Sequence, residues 1–320
     1  MTGIDFAGPL FVKEVNKSPG KVYICLFTCA VTRAVHIELV EDMSEETFIR
    51  AFRRFVSRRS SPQIVISDNA STFKAAASDI NHILQSNRVQ NKCSSLGIVW
   101  KFIPSRAPWY GGWWERIIGL IKSTIKKVLG KAQVTSSELR TLLTEVECML
   151  NNRPITYTFT DLEDPQPLTP SHLLNGRNLD ALPYFKTPEE EPLQPINMKC
   201  IDLRKRVSRQ KQILQHFWTR WKNEYLTSLR ESHRAAGRTV QDIKIGDVVL
   251  VHNDGNRLLW KLAIIKELIH GRDNYTRAAI LKTDTGTINR PITKLYPLEV
   301  SLENETNELL KLRRSDRLKN

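Results

Sequence analysis

The chain has 320 residues, 41% of them hydrophobic, so it can bury at least one full-sized core and is not globally disordered. Its 48 Lys+Arg against 34 Asp+Glu give a formal charge of +14, an excess that points to a polyanionic partner, either nucleic acid or an acidic membrane surface. No apolar run approaches the roughly 20 residues needed to cross a bilayer, and no leader-type pattern opens the chain. The expectation is a soluble, intracellular protein without a membrane partner.

The first 150 residues alternate between strand and helix signals. A short β-branched run ends near Asp5. Asn16-Lys-Ser-Pro-Gly20 then makes a turn signal. Residues 21–31 form a long β-prone run, and 34–40 alternate with period two. Ser44 is placed as an N-cap before Glu45 and Glu46, and Phe48, Ala51, Phe52, Phe55 and Val56 recur at helical spacing. Residues 63–68 and 98–103 read as short buried strands, and helices are expected over 73–90, 114–129 and 136–151. These elements predict a mixed sheet with helices on its faces.

Composition shifts after Asn152. Eight of the 15 prolines lie between Pro154 and Pro195, which predicts an extended connection. Residues 199–238 turn helical and basic, with 11 Lys/Arg minus 3 Asp/Glu giving +8, and Val207, Leu214, Phe217, Trp218, Trp221, Tyr225 and Leu229 form an apolar stripe. From residue 243, short strand-like runs separated by Asn/Asp/Gly turns predict a small β-barrel. Residues after 300 read as a charged tail. The expected divisions are 1–153, 154–198, 199–238, 239–300 and 301–320.

The five cysteines contain no CxxC pair and none has a ligand-like histidine partner, so they read as buried thiols in a reducing compartment and predict no zinc site.

Three acids stand out. Asp5 lies in Gly3-Ile-Asp-Phe, Asp68 in Ile64-Val-Ile-Ser-Asp-Asn, and Glu115 opens a basic amphipathic helix after Gly111-Gly-Trp-Trp. Phosphodiester chemistry needs positive charge on the attacking and leaving oxygens. Two divalent ions supply it, and carboxylates are the hard oxygen ligands that hold Mg²⁺. At 100° per residue, Lys122 and Lys126 fall within about 20° of Glu115 on the wheel, so one ridge carries a candidate ligand and two cations suited to phosphates. Ile117, Ile121, Thr124 and Val128 fall on the opposite side. Trp113 and Trp114 fall towards that apolar side. Trp109 and Tyr110 are better placed to stack on a base. Each acid alone is weak; the ordered set is the signal.

That set resembles the catalytic core of retroviral and retrotransposon integrases over residues 2 to about 150. Leu150-Asn-Asn-Arg-Pro-Ile-Thr, Leu168-Thr-Pro-Ser-His-Leu-Leu-Asn-Gly, Phe217-Trp-Thr-Arg-Trp-Lys-Asn-Glu-Tyr-Leu and Gly246-Asp-Val-Val-Leu-Val look like the BEL/Pao group of LTR retrotransposons. The resemblance implies an α/β chain: an RNase H-like mixed five-stranded sheet with flanking helices, then a basic helical segment and a small SH3-like β-barrel. It implies Asp5, Asp68 and Glu115 as the catalytic, metal-binding triad for two Mg²⁺ or Mn²⁺ ions. The implied activity is 3′-end processing of element DNA and strand transfer into target DNA. Asn69, Trp109, Tyr110, Lys122, Lys126, Arg204, Lys205, Arg206, Arg209 and Lys211 would meet DNA, Lys122 corresponding to a basic position that touches the viral DNA end. The expected partner is double-stranded DNA, the expected state a homo-oligomer, and the expected compartment the nucleus, reached from a cytoplasmic particle.

The chain departs from the retroviral pattern in a longer Asp68-to-Glu115 interval, in Ala70 where a glycine stands, and in Gly119 where a lysine stands. It begins four residues before Asp5, without the zinc-binding module of the family, and reads as a piece of a larger Pol polyprotein or a decayed copy. Two alternatives follow: a DNA-binding relic without catalysis, and a hydrolytic nuclease of the same fold.

Overall fold

The computed structural model describes residues 1–13, 20–67, 98–102, 112–129, 134–161, 164–179, 198–235, 243–252, 260–273, 275–283 and 285–299, with the side chains of 112–115, 129, 159–161, 164, 198–206 and 232–235 outside that description. The chain divides into two compact units, Met1–Asn151 with Ala181–Trp221, and Asn152–Asp180 with Lys222–Asn320.

In the first unit, β1 (Thr2–Val12), β2 (Gly20–Cys29) and β3 (Val35–Val40) pair antiparallel, and β4 (Ile64–Ser67) and β5 (Val99–Phe102) add in parallel. The sheet order is β3-β2-β1-β4-β5, which is the mixed five-stranded sheet expected. The pleat sends Ile4, Cys25, Phe27, Val40 and Val65 to one face, where helix α1 (Glu45–Arg59) covers them with Phe48, Ala51, Phe52 and Phe55. Ser44 caps α1 as expected, its side chain accepting from the Thr47 amide. Helices α2 (Gly112–Leu129) and α3 (Ser136–Asn151) follow, α2 lying against β1 and α3 against β3. The helix expected over 73–90 lies outside the described residues.

Edge strands expose unpaired amides, and this sheet closes its β3 edge with side chains. The Asn151 amide group receives the Val35 N–H at 2.8 Å and donates to the Val35 carbonyl at 2.8 Å, while Glu147 accepts the Ile37 N–H at 2.9 Å. Residues four apart on a helix rise about 6 Å and alternate strand amides repeat at about 6.7 Å, so one helix face can serve two of them. Buried His36 sits between two carboxylates, 3.0 Å from Glu38 and 3.3 Å from Glu147. Arg54 and Arg58 neutralise Glu38, and Arg59 neutralises Glu147. Burial alone would lower the His36 pKa, but the hydrogen bonds and charges of Glu147 and Glu38 outweigh it and hold the ring above its ordinary value. Burial would raise both carboxyls, and the His36 and arginine contacts instead hold them below theirs.

Of the expected extended connection over 154–198, the second unit holds the described residues 154–161 and 164–179. Residues there form a hairpin, β6 (Thr156–Asp161) with β7 (Asp164–Leu168), and a short helix, α4 (Pro170–Asn175). The prolines fit an isolated two-stranded ribbon, where ladder donors can be spared. Thr169 caps α4 in a box with His172, and Gly176 ends it at φ +71°, a left-handed position that glycine takes without strain. Helix α5 (Met198–Ala235) supplies its residues from Lys222 onward to this unit.

The C-terminal strands are β8 (Val248–Val251), β9 (Lys261–His270), β10 (Thr276–Thr283), β11 (Gly286–Pro291) and β12 (Leu295–Tyr296). The first four form a meander, and after a 3-10 turn at Ile292–Lys294 the fifth returns to pair with β8. β9 is shared: its start pairs with β8 and its remainder, through register shifts, with β10. Val249, Val251, Ala263, Ile265, Ala279, Leu281, Ile292 and Leu295 fill the core on one face. A five-stranded sheet thus stands where a small SH3-like barrel was expected; pairing between β11 and β12 that would close a barrel is not among the described pairs.

Two parts of the chain signature find structural roles inside this unit. Fully buried Arg153 lies 3.4 Å from the equally buried Glu299 carboxylate, which also accepts from the Tyr225 hydroxyl at 3.4 Å. The Arg230 guanidinium donates to the Leu295 carbonyl at 3.0 Å and to that of Thr293, and stacks 4.0 Å over the Tyr296 ring.

The His36 network makes stability depend on pH in a defined direction. A raised histidine pKa contributes stability that is complete below about pH 6.5 and is lost as pH rises through the folded value. The lowered carboxyls act oppositely, contributing above about pH 4.5 and losing that contribution on acidification. Urea midpoints measured across pH are therefore expected to fall on the alkaline side in wild type and to flatten there in His36→Gln. An identical slope in the variant would remove His36 from the account.

Candidate active site

The parallel pairing of β1 with β4 matches Thr2 with Val65, Gly3 with Ile66 and Ile4 with Ser67. The residue after Ile4 is Asp5, and the residue after Ser67 is Asp68. Ser67 is fully buried, and its hydroxyl accepts from the Trp100 indole N–H at 2.9 Å, which ties the end of β4 to β5. Sequence reasoning missed this tether. The available signal was a tryptophan in the next parallel strand, and only the register makes it meaningful.

Asp5 lies on the sheet face opposite the α1 cluster, where α2 packs against β1. Its Oδ1 accepts from the Phe6 amide at 2.7 Å, and its Oδ2 accepts from Lys122 Nζ at 2.6 Å. The pair is part-exposed, with 30% of the Asp5 side chain and 35% of the Lys122 side chain accessible. Such a pair contributes about 1 kcal/mol or less. Lys122, expected to face DNA, thus rests on a candidate metal ligand.

The α2 helix buries Ile117, Ile118, Ile121, Thr124 and Ile125 and leaves Gly119 and Lys126 exposed. Its amphipathic pattern therefore fixes the ridge on which Lys122 and Lys126 sit. The backbone of Glu115 belongs to this helix, two turns before Lys122. The Glu115 side chain, Asp68, Asn69, Trp109 and Tyr110 lie outside the described residues, as do the side chains of Trp113, Trp114, Arg204, Lys205 and Arg206. Arg209 is exposed on α5, and Lys211 is half-buried there.

Among the described residues no group of three His, Cys, Asp or Glu side chains is arranged to hold a metal. His36, Glu38 and Glu147 are close together, but arginines and a backbone amide take their oxygens. The Asp5 carboxylate suits a divalent cation better. It offers hard oxygens, lies at the accessible end of a strand pairing, and already holds a cation.

Residues 9–108 match the family described as Integrase core domain, a stretch that includes Asp68 and falls between Asp5 and Glu115. Residues 205–298 match a family of unknown function (DUF5641). No curated protein sequence matches the chain. Among solved structures, a simian T-cell lymphotropic virus intasome in complex with PP2A regulatory subunit B56 gamma is similar at 12% identity and TM-score 0.35, over 94% of this chain and 78% of that one. The HTLV-2 integrase catalytic core domain with magnesium, in a trimeric form, is similar at 18% identity and TM-score 0.33, over 54% of this chain and 94% of that one. The BIV integrase catalytic core gives 15% identity and TM-score 0.33, over 54% and 91%. Likenesses this loose carry no argument about chemistry. The family match over residues 9–108 and the observed five-stranded sheet agree in kind: this part of the chain resembles an integrase core domain.

Gly119 is exposed within α2, and a Cβ there would meet nothing within 4 Å. Replacement by alanine is expected to stabilise the first unit by about 0.5–1 kcal/mol, the difference in helix propensity, as a raised urea midpoint. A lowered midpoint would show that the ridge is more crowded than this geometry allows.

Proposed function

We propose that this protein is a metal-dependent polynucleotidyl transferase that processes the 3′ ends of element DNA and joins them to target DNA. The observation that supports this most is the convergence of three elements on Asp5. β4 pairs with β1 up to the residues that precede Asp68 and Asp5, and Lys122 reaches Asp5 from the helix that carries Glu115. In this reading Asp5, Asp68 and Glu115 hold two Mg²⁺ or Mn²⁺ ions, which activate the attacking oxygen and stabilise the leaving one. The chain's own part would be to hold Asp5 within β1 and Glu115 on α2, with Asp68 following the last residue of β4 in sequence. The exposed α2 ridge and the basic start of α5 offer cations to the phosphate backbone.

Membership of the BEL/Pao group, work in the nucleus and assembly as a multimer belong to the same proposal and rest on the resemblance. Among the described residues no helix is long and apolar enough to cross a membrane.

The Lys122–Asp5 pair also favours a second reading, a DNA-binding relic in which an ammonium has replaced the metal as counterion. One assay separates the two. Short duplexes carrying element-type ends are incubated with Mg²⁺ or Mn²⁺, and a branched product-like duplex tests the reverse reaction. Wild type is expected to cut and join, and Asp68→Asn and Glu115→Gln to lose both by at least about a hundredfold with melting temperatures kept. Cutting without joining would indicate a nuclease. DNA binding with neither reaction would establish the relic.

A further inference from the structure

We propose that Lys122 is an exchangeable counterion: it holds the Asp5 carboxylate while no divalent cation is bound and moves to a DNA phosphate when one binds. The inference rests on the reading of Asp5 as a metal ligand and adds a coupling to it.

The geometry assigns the two Asp5 oxygens different roles. Oδ1 is held by the Phe6 amide at 2.7 Å, which orients the group, so Oδ2, 2.6 Å from Lys122 Nζ, is the oxygen open to exchange. An ammonium and a divalent cation cannot share that oxygen closely, because like charges a few ångströms apart repel strongly at a part-exposed site. Lys122 therefore leaves Oδ2 when a divalent cation takes it. The departure needs no opening of the core, because both side chains are about one-third exposed. A lysine on a flexible four-carbon stem keeps its charge wherever it swings.

The released ammonium has a destination. Lys122 shares its ridge with exposed Lys126, one turn further on. One turn nearer Glu115, exposed Gly119 bears no side chain, and among the described residues a Cβ there would meet nothing within 4 Å, so that position does not block a phosphate from approaching Lys122. Lys122 can then serve one of two anions, Asp5 or a phosphate, and the divalent cation decides which. By linkage the coupling is reciprocal: metal strengthens DNA binding, and DNA, by drawing Lys122 away, strengthens metal binding.

The test uses the full chain with Mn²⁺ as the probe, counting bound ion by electron paramagnetic resonance without DNA. Wild type is compared with Lys122→Met, Lys122→Gln, Lys126→Met and Asp5→Asn, each checked for an unchanged thermal melt. Affinity for a short duplex is then measured with and without Mn²⁺ at fixed ionic strength. Both Lys122 variants are expected to bind Mn²⁺ about threefold or more tightly, the scale of losing a part-exposed ion pair. Lys126→Met, which removes the same charge one turn away, is expected to change it less. The Mn²⁺-dependent gain in duplex affinity is expected to shrink in both Lys122 variants and to persist in Lys126→Met. Equal Mn²⁺ affinity in wild type and the Lys122 variants, with binding lost in Asp5→Asn, would overturn the exchange and leave Asp5 a ligand. An unchanged DNA gain would overturn the transfer to phosphate. Absence of Mn²⁺ binding in wild type would overturn the metal reading itself.

Discussion

The register of β1 against β4 is the constraint on which the first unit depends. Parallel pairing sets Ile4 beside Ser67, and a slip of one residue would turn every side chain of a strand to the wrong face. A one-residue slip could not keep Ile4, Val65 and Phe27 on one face and the Asp5 carboxylate on the other. On the other side of β4, Trp100 ties the strand to β5 by its hydrogen bond to Ser67. Packing chosen for the hydrophobic core thus positions an acid just past the last β1–β4 pair.

Polar groups close the rest of the sheet. Glu147 and Asn151 on α3 take the place of a sixth strand along the β3 edge, and the charge on Glu147 is balanced from His36 and Arg59. A buried network of this kind is costly when one member is removed, because the partner stays buried without compensation. Arg50, Arg54, Arg58 and Arg59 of α1 are engaged with carboxylates, so basic composition there does not mean free positive charge. In the second unit Arg153 likewise faces the Glu299 carboxylate, while Arg230 is spent on backbone carbonyls and the Tyr296 ring. The gross count of 48 Lys+Arg therefore overstates the cations free to meet a nucleic acid, although the net +14 already subtracts their acidic partners.

Much of the fold was legible because periodicity and capping are local. Ser44, the α1 aromatics and the alternating β8–β10 core all report an environment set within a few residues. The hairpin at Thr156–Leu168 was not legible, since its prolines signal a loop and the strands are recognised only by their mutual pairing. The roles of Asn151 and Arg153 were hidden for the same reason: their partners are 116 and 146 residues away. At the candidate site the residue types suggested metal chemistry, and the helical spacing placed Lys122 on the ridge that starts at Glu115. What spacing could not convey is that an ammonium near a carboxylate prefers it to solvent, so Lys122 meets Asp5 before any phosphate.

The most direct measurement of the central claim is a crystal structure of the full chain grown with Mn²⁺, read by anomalous scattering. The account predicts a peak at bonding distance from the Asp5 carboxylate, shared with Asp68 or Glu115, and Lys122 Nζ no longer on Oδ2. A fully occupied Mn²⁺ site elsewhere, with the Lys122–Asp5 pair intact, would contradict it.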